Sequence, residues 1–406
     1  VFIHSIFSQT GWVQLNSGTF SNLNSVCFVD ANTGYVVADS GSSVGIIFKT
    51  SDGGSSWIRL FSGNNALTSV SFPNANTGFV CGSGNYGGHV LFKTTNGGTN
   101  WIGGSNYDSL NIFTVYFINS LTGFQAGNKY IIKAYVIPCL LRTTDGGLSW
   151  NRQFFTYPPQ GSLTSVFFSD TLNGYTQGSG YFYKTTNSGI SWTQITSTGI
   201  SNSIYFINNL TGWSSGNSFV YKTTNGGSNW SSISVSGTLY SVWFVNDQLG
   251  WVCGSGGEIY GTINGGTNWT LQSSGSTTNL FSLSFINSQT GWAVGAFGRI
   301  LKTTNGGITN IQPISNEIPE EFKLYQNYPN PFNPISKIKF QISKLSNAKL
   351  SIFDIPGRQI VVLINEELKP GKYEIEWNGI SYPSGVYFYK LEAGDYSETR
   401  KALLLK

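Results

Sequence analysis

Thr50-Ser51-Asp52-Gly53-Gly54-Ser55-Ser56-Trp57 decides the fold, because its spelling, Thr-x-Asp/Asn-x-Gly-x-x-Trp, returns from Thr94 to Trp101, Thr143 to Trp150, Thr185 to Trp192, Thr223 to Trp230 and Thr262 to Trp269. A seventh copy starts at Thr303-Thr304-Asn305-Gly306-Gly307 but has Asn310 in the tryptophan slot. Self-similarity at a fixed period identifies a repeat architecture before any finer reading. A second motif, Phe-x-Asn/Asp followed by glycine and usually an aromatic, keeps step with the first through Gly34, Gly78, Gly123, Gly174, Gly212, Gly250 and Gly291. Successive tryptophans lie 38 to 49 residues apart, the length of a four-stranded propeller blade.

Alternation places four strands in each unit. The first resembles Ser69-Val70-Ser71-Phe72, and the second follows the motif glycine, as in Gly291 to Gly295. The third ends in Lys-Thr, as at Lys302-Thr303, and the fourth begins at the tryptophan, as in Trp57 to Leu60. The eight-residue motif is then a hairpin device. Asx-Gly steps tolerate positive φ, the Asx side chain accepts nearby backbone N–H groups, and the indole supplies apolar area. Its third position is acidic only at Asp52 and Asp145; Asn96, Asn187, Asn225, Asn264 and Asn305 stand there otherwise. Charge is dispensable at that position, which argues against a catalytic acid or a calcium loop. Trp57, Trp101, Trp150, Trp192, Trp230 and Trp269 are read as scaffold with them. Gly11-Trp12-Val13-Gln14-Leu15 looks like the end of a detached motif, so Trp12 is expected to complete the unit that contains Ser282 to Thr303, closing the ring and removing two strand edges.

This pattern resembles the Asp-box or BNR repeats of sialidase-like propellers, and more closely the propellers similar to photosystem II assembly and stability factors. The resemblance covers residues 11–310. It implies an all-β, seven-bladed β-propeller; it does not imply an activity, because one architecture carries unrelated functions.

Composition agrees. Charged residues are 10% of the 406 and glycines number 50, a balance that favours short strands and tight turns. The net charge of +4 is thinly spread, so no nucleic-acid partner is expected, and no apolar run is long enough to span a membrane as a helix. Cys27, Cys81, Cys139 and Cys253 lie far apart and read as core residues; no metal and no cofactor is expected. The chain starts at Val1 and has no methionine, and residues 1–10 read as a signal-peptide remnant with Ser8 near the cleavage point.

Charge density jumps after the last repeat. Residues 1–310 carry 11 basic and 8 acidic side chains, the last 96 carry 12 and 11. Residues 311–321 are expected to be a linker, and 322–406 a small Ig-like antiparallel β-sandwich. Tyr328-Pro329-Asn330-Pro331-Phe332-Asn333, then Gly357-Arg358, Trp377-Asn378-Gly379, Gly385 and a basic, apolar end resemble the type A sorting domain of type IX secretion. That resemblance implies an outer-membrane translocon as partner and a secreted or outer-membrane-surface location in a Gram-negative bacterium.

No catalytic residue is assigned. A sialidase-like site needs clustered arginines and a Tyr-Glu pair, yet residues 11–310 offer only Arg59, Arg142, Arg152 and Arg299, and one glutamate, Glu258. Asp39, Asp108 and Asp247 are the free acids, and His89 reads as a solvated loop histidine. Function is therefore sought on the loops opposite the motifs, where Tyr86, His89, Tyr107, Asp108, Tyr130, Tyr135 and Tyr157 are candidate contacts for a protein or polysaccharide. A carbohydrate-active enzyme with an unrecognised site, or an assembly factor like the photosystem-associated relatives, are the alternatives. Tyr116, Phe167, Tyr205 and Trp243 occupy one slot in consecutive units and are read as interblade core in preference to a channel stripe.

Overall fold

Short alternating apolar runs cut by Asx and Gly turns yield strands and, among the described residues, only two 3₁₀ turns, Ser255–Gly257 and Ala296–Gly298. The computed structural model describes residues 11–40, 44–84, 88–106, 109–132, 135–155, 161–195, 201–272, 274–307, 312–315, 317–379 and 382–406. Residues 1–10, expected as a signal-peptide remnant, and Asn310 lie outside them. The chain divides into two compact units, one holding Gln14–Leu271 with Gly275–Thr303, the other holding mainly Thr304–Lys406.

The larger unit is a succession of antiparallel sheets. Four take four consecutive strands each, running from Asn22–Phe28 to Ile58–Gly63, Asn65–Ser71 to Ile102–Asn106, Leu110–Phe117 to Asn151–Phe154, and Ser165–Phe168 to Thr193–Ile195. A six-stranded sheet runs from Ser201–Phe206 to Thr270–Gln272. Its strands Gly212–Thr223 and Ser231–Phe244 are long, and each contains a positive φ, at Ser218 and Gly237. The last sheet is ordered Val13–Leu15, Ile300–Thr303, Gly291–Gly295, Leu280–Phe285, so the N-terminal strand joins the final repeat, as the sequence predicts. This is the strand arrangement of a β-propeller.

Neighbouring sheets are joined by contacts that the motifs explain. The first strand of each unit is a sheet edge whose outward N–H groups need acceptors. In six units a serine on the preceding unit's first strand supplies one; the strand before Ser165–Phe168 carries Thr114 in that slot. Ser25 Oγ accepts from Val70 N at 3.3 Å, Ser69 from Val115 at 3.2 Å, Ser165 from Ile204 at 3.3 Å, Ser203 from Val242 at 3.4 Å and Ser241 from Leu283 at 3.2 Å. Ser282 closes the series on Val26 at 3.3 Å.

Behind these serines, each second-strand aromatic lies flat on the next unit's first-strand phenylalanine. Tyr35 stacks on Phe72, Phe79 on Phe117, Phe124 on Phe168, Tyr175 on Phe206, Trp213 on Phe244 and Trp251 on Phe285, with centroids 3.4–4.1 Å apart. Trp292 stacks on Phe28 at 3.4 Å, joining the last repeat to the first.

The motif glycine is needed for space. A Cβ at Gly78 would sit 2.2 Å from the Phe72 ring, and one at Gly212 2.4 Å from Phe206. Each stacked ring lies directly over the backbone of its own unit's glycine.

The smaller unit contains two four-stranded sheets. One is ordered Gln312–Ser315, Gly371–Asn378, Ile335–Ile342, Lys323–Leu324; the other Gln359–Leu368, Ser346–Phe353, Gly385–Ala393, Tyr396–Leu404. Both contribute to one core, with Phe340, Trp377, Leu350, Ile352, Tyr389 and Leu391 fully buried. The stretch 311–321, expected as a linker, departs from that reading. Gln312–Ser315 pairs with Gly371–Asn378 as an outer strand. Pro313 masks it in the sequence, yet an edge strand tolerates a residue without an N–H.

Gly78→Ala should destabilise the chain by about 1–3 kcal/mol through overpacking of Phe72. Gly104→Ala, where an added Cβ meets nothing within 4 Å, should be close to neutral. Urea midpoints of the two variants check this.

Candidate functional site

The eight-residue motif builds the same hairpin in six copies. The threonine hydroxyl donates to the Asx Oδ1 at 2.7–3.0 Å and accepts the N–H of the fifth-position glycine at 2.9–3.0 Å. The same Oδ1 of Asp52, Asn96, Asp145, Asn187, Asn225 and Asn264 accepts the N–H four residues on, at 2.9–3.0 Å. Through Oδ1, amide and carboxylate do the same work; the second oxygen of Asp52 and Asp145 accepts a further bond from Ser56 and Ser149, where Asn187 Nδ2 donates to Ser191 instead. Burial pushes the Asp52 carboxyl up, but Ser56 and Thr50 outweigh it and hold it below its usual range; Ser149 and Thr143 hold Asp145 well below.

Tryptophans 57, 101, 150, 192, 230 and 269 meet the unit's first-strand phenylalanine edge-on at 5.9–6.1 Å. The buried indole nitrogens of Trp57, Trp101, Trp192 and Trp269 have no hydrogen-bond partner, so apolar area is their contribution. Trp12 is buried and donates to Gln272 Oε1 at 2.8 Å, and Gln272 donates to Gly306 O at 3.1 Å. Asn305 Oδ1 accepts Gly307 N at 3.2 Å.

The second motif is equally committed. Asp30, Asn74, Asn119, Asp170, Asn208, Asn246 and Asn287 each accept two backbone N–H groups of their own turn at 2.7–3.0 Å. The basic side chains are engaged as well. Lys49 donates to Gly97 O at 2.6 Å, Lys93 to Gly146 O at 2.9 Å, Arg142 to Ser188 O at 2.6 Å, Lys184 to Gly226 O at 3.2 Å and Lys302 to Gly53 O at 2.9 Å. Each cation caps a motif carbonyl of the next unit. This geometry was hidden in the sequence, although the recurrent Lys-Thr ending pointed towards it.

Strand polarity puts these turns at one end of each sheet and the remaining loops at the other. Asp247 follows a first strand and Asp39 ends a second strand, so these two acids sit at opposite ends and form no carboxylate pair. Tyr130 and Tyr135 stand exposed with Ile131 on the long hairpin formed by Gly123–Ile132 and Tyr135–Thr143. Tyr86, Tyr107, Asp108 and Tyr157 lie outside the described residues. His89 departs from its reading as a solvated loop residue. It begins the strand His89–Thr94, opposite Ser83 and Asn106, and is 1% exposed, because the strand starts earlier than its apolar run suggests.

Tyr116, Phe167, Tyr205 and Trp243 form a chain of rings with centroids 4.8–5.4 Å apart. Tyr116, Phe167 and Tyr205 pack against interblade clusters, and Tyr116 donates to Phe168 O at 3.0 Å. The core reading of the stripe accounts for these contacts. Burial pushes the Cys27 thiol up to about 11 and the Cys81 thiol up to about 12, which leaves these two protonated at neutral pH.

In the smaller unit the proline-rich motif is tied to the last strand. Phe332 is buried beside Trp377 at 4.9 Å, its N–H donates to Leu403 O at 2.9 Å, and its carbonyl accepts Leu405 N at 2.9 Å. Asn330 Oδ1 accepts Leu403 N at 2.9 Å. Tyr328, Pro329, Asn330, Pro331 and Asn333 remain exposed. Gly357 turns the chain at φ +82° so that Arg358 meets Asp354, and Gly385 opens the strand paired with Tyr396–Leu404. No helix among the described residues is long and apolar enough to cross a membrane, which says nothing about a β-barrel.

Residues 326–405 match the secretion system C-terminal sorting domain family. The chain therefore carries the sorting tail of a secreted protein. Among solved structures it is similar to YCF48 from Cyanidioschyzon merolae, with 20% identity and a TM-score of 0.57, covering 72% of this chain and 98% of that one. A structure titled YCF48 bound to D1 peptide gives 17% identity and a TM-score of 0.57, covering 74% and 100%. The extracellular domain of the one-component system BT4673 from B. thetaiotaomicron gives 10% identity and a TM-score of 0.53, covering 99% and 60%. These likenesses establish the propeller fold. Comparison with curated proteins returns no match.

Asp52→Asn with Asp145→Asn should leave the melting temperature at pH 7 nearly unchanged, whereas Asn225→Ala, which strips a turn of its acceptor, should cost about 1 kcal/mol. Both carboxyls have folded pKa values below the unfolded value of about 3.9, so their contribution is complete above that pH and is lost as pH falls through the depressed values. Thermal melts between pH 2 and 7 should show a shallower acid limb for the double variant.

Proposed function

We propose that the chain is an exported, seven-bladed Asp-box propeller that binds a protein or polysaccharide through the face opposite its eight-residue motifs. Seven Asx turns and seven interblade stacks support that number, the six-stranded sheet counting as two blades divided near Ser218 and Gly237. Trp12 takes the place of the missing seventh tryptophan.

The observation that carries the reading is the difference between the two faces. On the motif face the turn side chains are committed to backbone hydrogen bonds, and its exposed apolar residues are aliphatics without a ring among them, Leu121 with Leu148, Leu172 with Ile190, and Leu210 and Ile263 in the next two units. Exposed aliphatics in ones and twos need no functional explanation. On the other face, the hairpin tip groups Tyr130, Ile131 and Tyr135, rings with a polar handle suited to recognition. The peptide named with one YCF48 structure indicates that this fold admits a peptide ligand.

The sorting tail would act through type IX secretion, with an outer-membrane translocon reading its exposed Tyr328–Asn333 loop and Arg358. The destination is the cell surface or medium of a Gram-negative bacterium. Deleting residues 322–406 should leave the propeller inside the outer membrane; surface labelling that persists at the full-length level contradicts export by the tail. Tyr130→Ala with Tyr135→Ala should weaken binding of a protein ligand at least tenfold in calorimetry with unchanged melting. Turnover of a polysaccharide would contradict a purely binding role.

A further inference from the structure

The sixth and seventh repeats contain the same four-residue turn, and this internal duplicate isolates one anomalous side chain. Gly254 N donates to Glu258 O at 3.0 Å and Glu258 N to Ser255 O at 3.2 Å; Gly295 N donates to Arg299 O and Arg299 N to Ala296 O at the same distances. The residue at the turn's apex is Gly256 in one copy, with φ +65°, and Phe297 in the other, with φ +56°. Its N–H is held alike in both, by Asn279 Oδ1 at 3.1 Å and by Asn22 Oδ1 at 3.3 Å.

Glycine is the residue this backbone calls for, and a bulky side chain in the left-handed region is an outlier. Packing does not repay the strain. A Cβ at Gly256 would meet nothing within 4 Å, and Phe297 is 69% exposed. The loop that abuts it carries a second exposed ring. Gly298 N donates to Ser21 O at 2.8 Å, and the adjacent Phe20 is 91% exposed. Neither ring stabilises the fold, and together they mark the seam between last and first repeats on the face opposite the motifs.

The surroundings define the ligand chemistry. Asn16, Ser17, Thr19, Ser21 and Asn22 line the first loop, and Arg299, bonded to Gln14, is the sole charge of the two loops. Flat apolar rings amid neutral amides and hydroxyls suit a pyranose, whose C–H face lies on an aromatic while its hydroxyls exchange hydrogen bonds. An acidic polymer would find too little positive charge here, and a protein partner would be expected to meet a larger apolar patch.

We infer that Phe20 and Phe297 form a docking site for a neutral glycan chain. The inference rests on the binding role proposed above and names its ligand class and place.

The test uses the full chain in affinity electrophoresis and calorimetry against a neutral β-glucan, a neutral xylan and, as the acidic control, polygalacturonate. The expected result is retention by a neutral polymer that falls at least tenfold in Phe20→Ala with Phe297→Ala, with melting unchanged. Phe297→Gly should lose binding and melt at the same or a higher temperature. Retention unchanged in the double variant, retention by polygalacturonate alone, or no retention by either neutral polymer overturns the inference. So does a marked drop in melting temperature for Phe297→Gly. If neutral glycans fail while a protein ligand still binds through Tyr130 and Tyr135, the general binding role stands without this site; if neither class binds, the role itself falls.

Discussion

The propeller depends on one repeated interaction, an aromatic ring from the second strand of each unit lying flat on the first-strand phenylalanine of the next. A pair of this kind contributes about 0.5–1.5 kcal/mol beyond the area it buries. Its geometry also dictates the local sequence. The phenylalanine lies against its own unit's backbone, so glycine must follow the Asx turn, and the box tryptophan meets the same ring edge-on. The two motifs are therefore one packing unit, divided in the sequence and reunited at each seam.

The scarcity of charge follows from the same plan. Five basic residues of the propeller cap carbonyl oxygens of the neighbouring unit's turn, and Lys222 lies over the Trp213 ring at 5.6 Å. The turn side chains at the motif end are taken up by internal hydrogen bonds, whereas the loops at the other end vary among the repeats.

Much of this was legible in the chain. Periodic Thr-x-Asx-x-Gly-x-x-Trp spelling located the hairpins, and the stranded Trp12 to Leu15 segment revealed that the N-terminus joins the last repeat. The serines of the first strands gave no such warning, because their role appears only when two edges face each other. His89 misled because an alternating run does not show where its strand begins. Gln312–Ser315 was obscured by Pro313, which marks a loop as readily as an edge strand. Phe297 passed unnoticed since its peculiarity is a backbone angle, visible in the sequence only by aligning it with Gly256.

Closure of the ring is the claim on which the rest stands, and a double-mutant cycle between Phe28 and Trp292, each replaced by leucine, tests it directly. A closed ring gives a coupling of about 0.5–1.5 kcal/mol in equilibrium unfolding, equal to that of an internal seam such as Phe79 with Phe117. Additive effects at Phe28 and Trp292, with coupling present at Phe79 and Phe117, would show the first and last repeats to be apart and would contradict it.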